Sequence, residues 1–254
     1  MLILLPPSEG KAPAAEGAPL CLTDLTFPEL TTARAKVLRA LHAASSRPDA
    51  HGVLKVGSTL AAEVSRNTML DTEPSAPAHR VYTGVLYDAL DYGNLTPAQQ
   101  QRARQQIVVI SALWGALQFD DWIPAYRLSM SVNLPGIGGL ASFWKKELRE
   151  SLTEHTAVRL VIDCRSSTYA AAWVPPAAQT VTVNVLQERN GRLTVVSHFA
   201  KHTRGEFARH LLTRPGADPV TAEGALAAAR ERWTAELEPA TLRTAARLNI
   251  VLSH

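Results

Sequence analysis

Four cations and a handful of hydroxyls are the residues of this 254-residue chain best placed to do chemistry. Lys11 ends the loop "PPSEGK", straight after a short apolar run and beside Gly10. A lysine there can contact a phosphate or carboxylate, or act as a nucleophilic amine once desolvated. Arg127 follows the turn in "FDDWIPAYRLSM". A guanidinium held rigidly beside a core can make two parallel hydrogen bonds to a carboxylate or phosphate. The plainer alternative is that Arg127 only pairs with Asp120 or Asp121. Lys201 and Arg204, in "FAKHTRG", read as a basic turn just past a hairpin strand. Gly205 and the first amides of the helix that follows would add to an anion site. If Lys11, Arg127, Lys201 and Arg204 converge, they form a positively charged cleft, with Ser8, Ser166 and Tyr169 as polar contacts. Lys11, Arg127, Lys201 and Tyr169 are then the catalytic candidates. Taken singly, each of these residues is an exposed charge, a cap or a turn residue.

A second basic surface is separate. Residues 31–48 hold Arg34, Lys36, Arg39 and Arg47 and no acid. Lys55, Gly57 and Ser58 follow in "VLKVGSTLAAEV". Backbone amides at such a turn can hold a phosphate, and flanking cations add salt-dependent affinity for double-stranded DNA without reading its sequence. The alternative is an ordinary solvated helix face.

Other chemistry lacks its residues. There is no GxGxxG, Walker A loop, GxSxG elbow or HExxH. The eight histidines show no metal spacing, so neither metal nor cofactor is expected. Asp120 and Asp121 are adjacent and diverge, which suits a turn better than paired acid–base work. Two cysteines are too few for a disulfide framework or a thiolate metal site, and point to the reducing cytoplasm. Cys164, beside Arg165, is the better candidate for a peroxide-reactive thiol, but a buried structural cysteine is the preferred reading. "MLILL" is too short for a signal peptide and no run reaches membrane-span length, so a cytoplasmic protein with no membrane partner is expected. Net charge is only +3 with a pI of about 9.0, so any basic patch must be local.

The elements that must position these residues are legible in outline. "MLILL" suits a buried strand in mid-sheet. "PELTTARAKVLRALH" has helical spacing, with Leu30, Val37, Leu38 and Leu41 on one face. Ser58 is expected as an N-cap, and Thr96 as another with Pro97 at the first helical position. "IVVIS" is strand-like and runs on to Gly115; "ASFWKKELRESLTEH" is an amphipathic helix; "VRLVIDCRSSTY" is a strand entering a polar turn. Alternating strands flank "ERNGR", where Asn-Gly signals a hairpin. "GEFARHLLTR" and residues 220–238 read as helices, and "LRTAARLNIVLSH" ends in a strand. Together these predict a mixed α/β (α+β) fold: a single body over residues 1–254, a mixed sheet with helices around it, and at least one β-hairpin.

Several of these stretches, in this order, resemble the peroxide-stress YaaA family of bacteria: "MLILLPPSEGK", "VYTGVLYDAL", "ISALWGALQFDDWIPAYRLSM", "FWKKEL", "IDCRSSTY" and "LQERNGRLTVVSHFAKHTRG". The likeness runs to about Arg214. It implies a cytosolic protein of the oxidative-stress response that limits iron-driven damage and binds DNA non-specifically through a positively charged cleft. It also implies a helix-hairpin-helix-like subregion, here residues 28–67. An enzyme acting on a small anionic substrate, nucleotide-like or carboxylated, is the alternative. The chain departs from the family in places. The opening commonly reads like "SPAKTL", and here Lys11 stands for its lysine, displaced by an insertion. The turn that often ends Ser-Asn-Glu-Tyr keeps Ser166 and Tyr169 but has Thr168 for the carboxylate. "VLKVGS" holds half of a helix-hairpin-helix signature.

Overall fold

The computed structural model describes residues 1–189, 192–195 and 197–252. An eight-stranded mixed sheet is built from β1 (Leu2–Leu5), β2 (Ile107–Ser111), β3 (Gly115–Gln118), β4 (Val161–Asp163), β5 (Thr180–Arg189), β6 (Arg192–Val195), β7 (Thr234–Glu238) and β8 (Ala246–Leu252). Its order is β7-β8-β5-β4-β1-β2-β3, with β6 folded back on β5. Every residue of β1, β2 and β4 is buried. That explains their short, near-continuous apolar runs, because a parallel strand covered on both faces has no polar side to show. Leu2–Leu5 lies in mid-sheet as expected, with Ile3 opposite Ile107 on one side and Ile162 on the other, both parallel.

Five strands are mutually parallel: β2, β1, β4, β5 and β8, in that spatial order. Counted by chain order alone, the sequence across the sheet is 2-1-3-4-5. The chain first moves to one side of β1, then jumps to the other. At such a switch point the loops leaving the two central strands part, and the crevice between them, outside the carboxyl ends of the strands, is where doubly wound sheets bind ligands. Here those loops are residues 6–11 and 164–166.

The helices are α1 (Thr31–Ser45), α2 (Ala50–Leu54), α3 (Ala61–Arg66), α4 (Ala78–Val81), α5 (Val85–Leu90), α6 (Pro97–Gln106), α7 (Leu140–Thr156), α8 (Ser167–Ala170), α9 (Ser197–Thr213) and α10 (Ala222–Arg230). Thr96 caps α6 in a full capping box with Gln99, and Pro97 opens it. The hairpin is present as the antiparallel β5–β6 pair, Gln187 opposite Thr194; its Asn-Gly turn lies outside the described residues.

Three local expectations are corrected. Ser58 is not an N-cap: it is the first residue of a 3-10 turn, Ser58–Leu60, and Gly57 before it is extended at φ −71°. The helix expected over 220–238 stops at Arg230, and Thr234–Glu238 pairs antiparallel with the last strand. Lys201, Arg204 and Gly205 do not precede a helix; they lie inside α9, so Gly205 offers no amide to an anion.

Gly205 has a packing role instead. α9 crosses α5 so closely that a Cβ at this position would sit 2.1 Å from the Leu86 carbonyl oxygen. In an exposed helix Gly→Ala stabilises by roughly 0.5–1 kcal/mol. Here Gly205→Ala is expected to destabilise by about 1–3 kcal/mol, as overpacking does, read from the urea midpoint.

Candidate functional site

The loop leaving β1 is tied down on the segment between α4 and α5. Lys11 forms a β-bridge with Tyr82, the Ala12 amide donates to the Val81 carbonyl (2.9 Å), and the Thr83 amide donates to Ser8 Oγ (3.1 Å). Ser8 is thus a loop-closing residue, its hydroxyl donating to the Gly10 carbonyl. Beneath the loop, Tyr87 Oη donates to the Pro6 carbonyl (2.8 Å). Tyr82 and Tyr126 share a hydrogen bond at 3.0 Å, and Tyr126 meets Ser111 Oγ at 2.7 Å. Burial holds all three phenols above the ordinary tyrosine value, so they stay neutral.

The Lys11 side chain folds inward over this cluster. Nζ donates to the Ser8 carbonyl (2.7 Å) and, longer, to that of Glu9 (3.4 Å), and lies 4.3 Å from the Tyr126 ring centre. The residue is half-buried, with its amine folded onto the Ser8 carbonyl and the Tyr126 ring. Desolvation, then the neighbouring Arg127 guanidinium, lowers its pKa to about 7; Glu9 and Glu63 oppose the shift. A substantial neutral-amine fraction at physiological pH is what a nucleophilic or basic lysine requires.

Arg127 is held at both ends. Its amide donates to Asn67 Oδ1 and its carbonyl accepts from Asn67 Nδ2, both at 2.8 Å. Its guanidinium donates to the Glu9 carboxylate (2.8 Å) and the Glu9 carbonyl (3.1 Å), with Glu63 at 3.5 Å. Neither Asp120 nor Asp121 is its partner. Asp120 pairs with Arg104 and faces His79, whereas Asp121 accepts from the Thr26 amide and hydroxyl and the Gln118 amide. Asn67 is buried and unpredicted, its partners lying far along the chain. Asn67→Ala is expected to cost roughly 1–3 kcal/mol by leaving Arg127's backbone unpaired, with a lowered urea midpoint at unchanged m.

Across the crevice, the turn after β4 is fixed by a buried ion pair. Arg165 grips both Asp163 carboxylate oxygens (2.8 and 2.7 Å) and donates to the Trp173 and Tyr169 carbonyls. This carries Ser166, exposed at the start of α8, and Tyr169, whose phenol meets the Met130 backbone and the Ser129 hydroxyl. Burial pushes Tyr169 up to about 12, with Glu9 and Arg127 among its charged neighbours. Cys164 is buried and pushed up to about 12 by desolvation, the wrong direction for a reactive thiolate.

The structure therefore brings Ser8, Lys11, Arg127 and Tyr169 together, with Glu9, Glu63, Asn67, Tyr82 and Tyr126 as members the sequence did not single out. It does not join the other two cations to them by contact. Arg204 spends its guanidinium on the Val183 carbonyl of β5 (3.0 and 2.9 Å), and Lys201 is exposed one turn earlier on α9. Nor is the site simply positive, since two carboxylates face Arg127.

The second surface loses a member outright. Arg34 is fully buried and donates to four backbone carbonyls, so it cannot reach a DNA phosphate. Lys36, Arg39, Lys55, Gly57 and Ser58 are exposed, although Lys55 also donates to the Ser131 carbonyl (3.0 Å). Among the described residues no group of three His, Cys, Asp or Glu side chains is arranged for a metal, and no helix is long and apolar enough to cross a membrane.

The family model described as "Peroxide stress protein YaaA" matches residues 1–224. A UPF0246 protein of Streptomyces coelicolor is 46% identical over 228 residues, covering 88% of this chain and 87% of that protein. One from Corynebacterium efficiens is 45% identical over 218 residues, covering 85% and 86%. A third, from Corynebacterium glutamicum, is 41% identical, covering 83% and 84%. The match begins at β1 and takes in the Lys11 loop, the Arg127 turn, the Ser166–Tyr169 turn and α9, and on it this chain belongs to the peroxide stress protein YaaA family.

Proposed function

We propose that this protein serves peroxide-stress protection, limiting iron-driven damage, through a site at the carboxyl edge of its sheet that binds a small anionic ligand. Lys11 and Arg127 hold the ligand; Ser8, Ser166 and Tyr169 line it. The observation that carries this reading is the Lys11 amine, folded onto the Tyr126 ring and desolvated beside a largely covered guanidinium at the sheet's switch point. Ordinary solvated lysines do not sit this way, because desolvating an ammonium is costly. The ligand class is a carboxylate or a nucleotide-like phosphate, both matched by Arg127. Calorimetric titration of wild type and Arg127→Gln with such compounds tests it: binding lost in the variant supports the reading, and equal binding to both refutes it.

A second reading is contact with duplex DNA, favoured by the exposed Lys36 and Arg39 on α1 and Lys55 after α2, within the 28–67 subregion. The cleft is the weaker place for it, since Glu9 and Glu63 offset its charge. Three phosphate contacts give a salt slope near −0.9 per contact, so log affinity should fall with log salt by no more than about three. Anisotropy titrations at several salt concentrations would show this slope flatten in a Lys36→Gln, Arg39→Gln, Lys55→Gln variant and stay unchanged in Arg127→Gln with Lys201→Gln. Loss only in the latter would move DNA to the cleft.

A further inference from the structure

The Glu9 carbonyl oxygen accepts from both functional cations: Lys11 Nζ at 3.4 Å and Arg127 Nη1 at 3.1 Å. The amine and the guanidinium therefore face one common point, and a molecule of a few heavy atoms can touch both. The Arg127 guanidinium is largely covered, at 17% exposure, and its backbone is clamped by Asn67. The carboxylate lying on it belongs to Glu9, which is 62% exposed on a loop. A fixed guanidinium with an exchangeable carboxylate already on it is a carboxylate site occupied by the protein's own side chain. Beside it, the amine lies against the Tyr126 ring, whose hydroxyl is anchored to Tyr82 and Ser111.

From this juxtaposition we propose that the site takes a small 2-oxo acid: its carboxylate displaces that of Glu9 from Arg127, and its carbonyl carbon condenses with Lys11. The proposal deepens the anionic-ligand reading and rests on it. A 2-oxo acid bonds its carbonyl carbon directly to its carboxylate, so the electrophile and the anion are as close together as the two cations are. A phosphate ester offers no such carbon, and a simple aldehyde leaves Arg127 unused. In the step itself, the lone pair of unprotonated Lys11 forms the C–N bond and the carbonyl oxygen takes up a proton. That oxygen then departs as water as the nitrogen gives up its protons, leaving an imine. One water is released and nothing is oxidised or reduced. The lowered basicity of Lys11 supports the step, because only the unprotonated amine attacks.

The test is reductive trapping. Pyruvate and cyanoborohydride are added to the intact protein at neutral pH, and each lysine-containing peptide is weighed by mass spectrometry. In parallel, oxamate, a carboxylate of the same shape that forms no imine, is titrated calorimetrically. The proposal expects the adduct concentrated on Lys11, blocked by oxamate, and reduced roughly tenfold or more in Arg127→Gln, as loss of a charge-assisted carboxylate contact implies. Arg127→Lys, which keeps the charge, should trap at an intermediate level, and thermal melts confirm that both variants fold. An adduct spread evenly over exposed lysines, with oxamate still binding in an Arg127-dependent way, overturns the condensation and leaves the anion site standing. Absence of both Lys11 trapping and oxamate binding overturns the condensation and the anion site together.

Discussion

Replacing Arg34 by methionine should cost about 3–5 kcal/mol of folding stability. The reason is geometric. The buried guanidinium donates to the carbonyls of Thr26 (2.6 Å), Ala116 (2.8 Å), Trp114 (3.0 Å) and Phe27 (3.2 Å). It thereby ties the start of α1 to the β2–β3 turn and holds Phe27, a non-glycine residue at φ 63°. Methionine fills the space but takes the guanidinium donor away from four carbonyls, of which that of Phe27 keeps the Leu30 amide. Lysine does little better, because one ammonium cannot span a fork of acceptors. Desolvation lowers Arg34 to about 10, which still leaves it charged at neutral pH, with Asp121 its strongest acidic neighbour. Urea denaturation measures the loss. A cost below about 1 kcal/mol, the scale of a surface change, would show that the side chain is not buried as described.

The second large effect is at Lys11, and its signature is a pH slope. Its amine is at about 7 in the folded protein against an ordinary 10.5. Between those values the unfolded chain binds the proton that the folded protein has released, so wild-type stability rises with pH there. Stated as a penalty, charging Lys11 in its desolvated place weighs fully against folding below pH 7, weakens as the pH climbs, and is gone above 10.5. Lys11→Met has no such penalty. Relative to wild type, the variant should be most favoured at pH 6–7 and lose that advantage at up to about 1.4 kcal/mol per pH unit towards pH 10. It should also lose ligand binding. Stability gained where binding is lost is the mark of a residue kept for its chemistry. Parallel stability curves for the two proteins from pH 6 to 10 would mean that Lys11 titrates like any surface lysine.

How much of this was readable beforehand varied with the range of the forces involved. β1, the N-cap at Thr96, α7 and the final strand are legible because their signals are local: an unbroken apolar run, a cap with its proline, a helical stripe. The strand Thr234–Glu238 resembles helix in sequence because Thr-Ala-Glu-Leu-Glu is rich in helix formers. What decides its structure is pairing with residues 247–251. α9 starts earlier than expected because "VVSHF" continues the alternation of the strand before it, so Lys201 and Arg204 were placed in a turn.

At the site, the types Lys11 and Arg127 were legible, but their partners were not. Glu9 and Glu63 reach Arg127 across folds of the chain, and Asn67 reaches it from the end of α3. Arg34 does carry a local signal. It stands four residues after Leu30, three before Val37 and seven before Leu41, which puts it on the apolar face of its own helix. A charge on that face must find buried acceptors, and Arg34 does.

The central claim, that a desolvated lysine beside Arg127 makes the site, is tested most directly by titrating that one amine. Competitive acetylation at a series of pH values, read peptide by peptide, gives the rate of Lys11 against the other lysines. The account predicts a midpoint near pH 7 for Lys11, moving upward in Arg127→Gln as the neighbouring cation is removed. A midpoint near 10.5 for Lys11 in wild type, the ordinary lysine value, would contradict it.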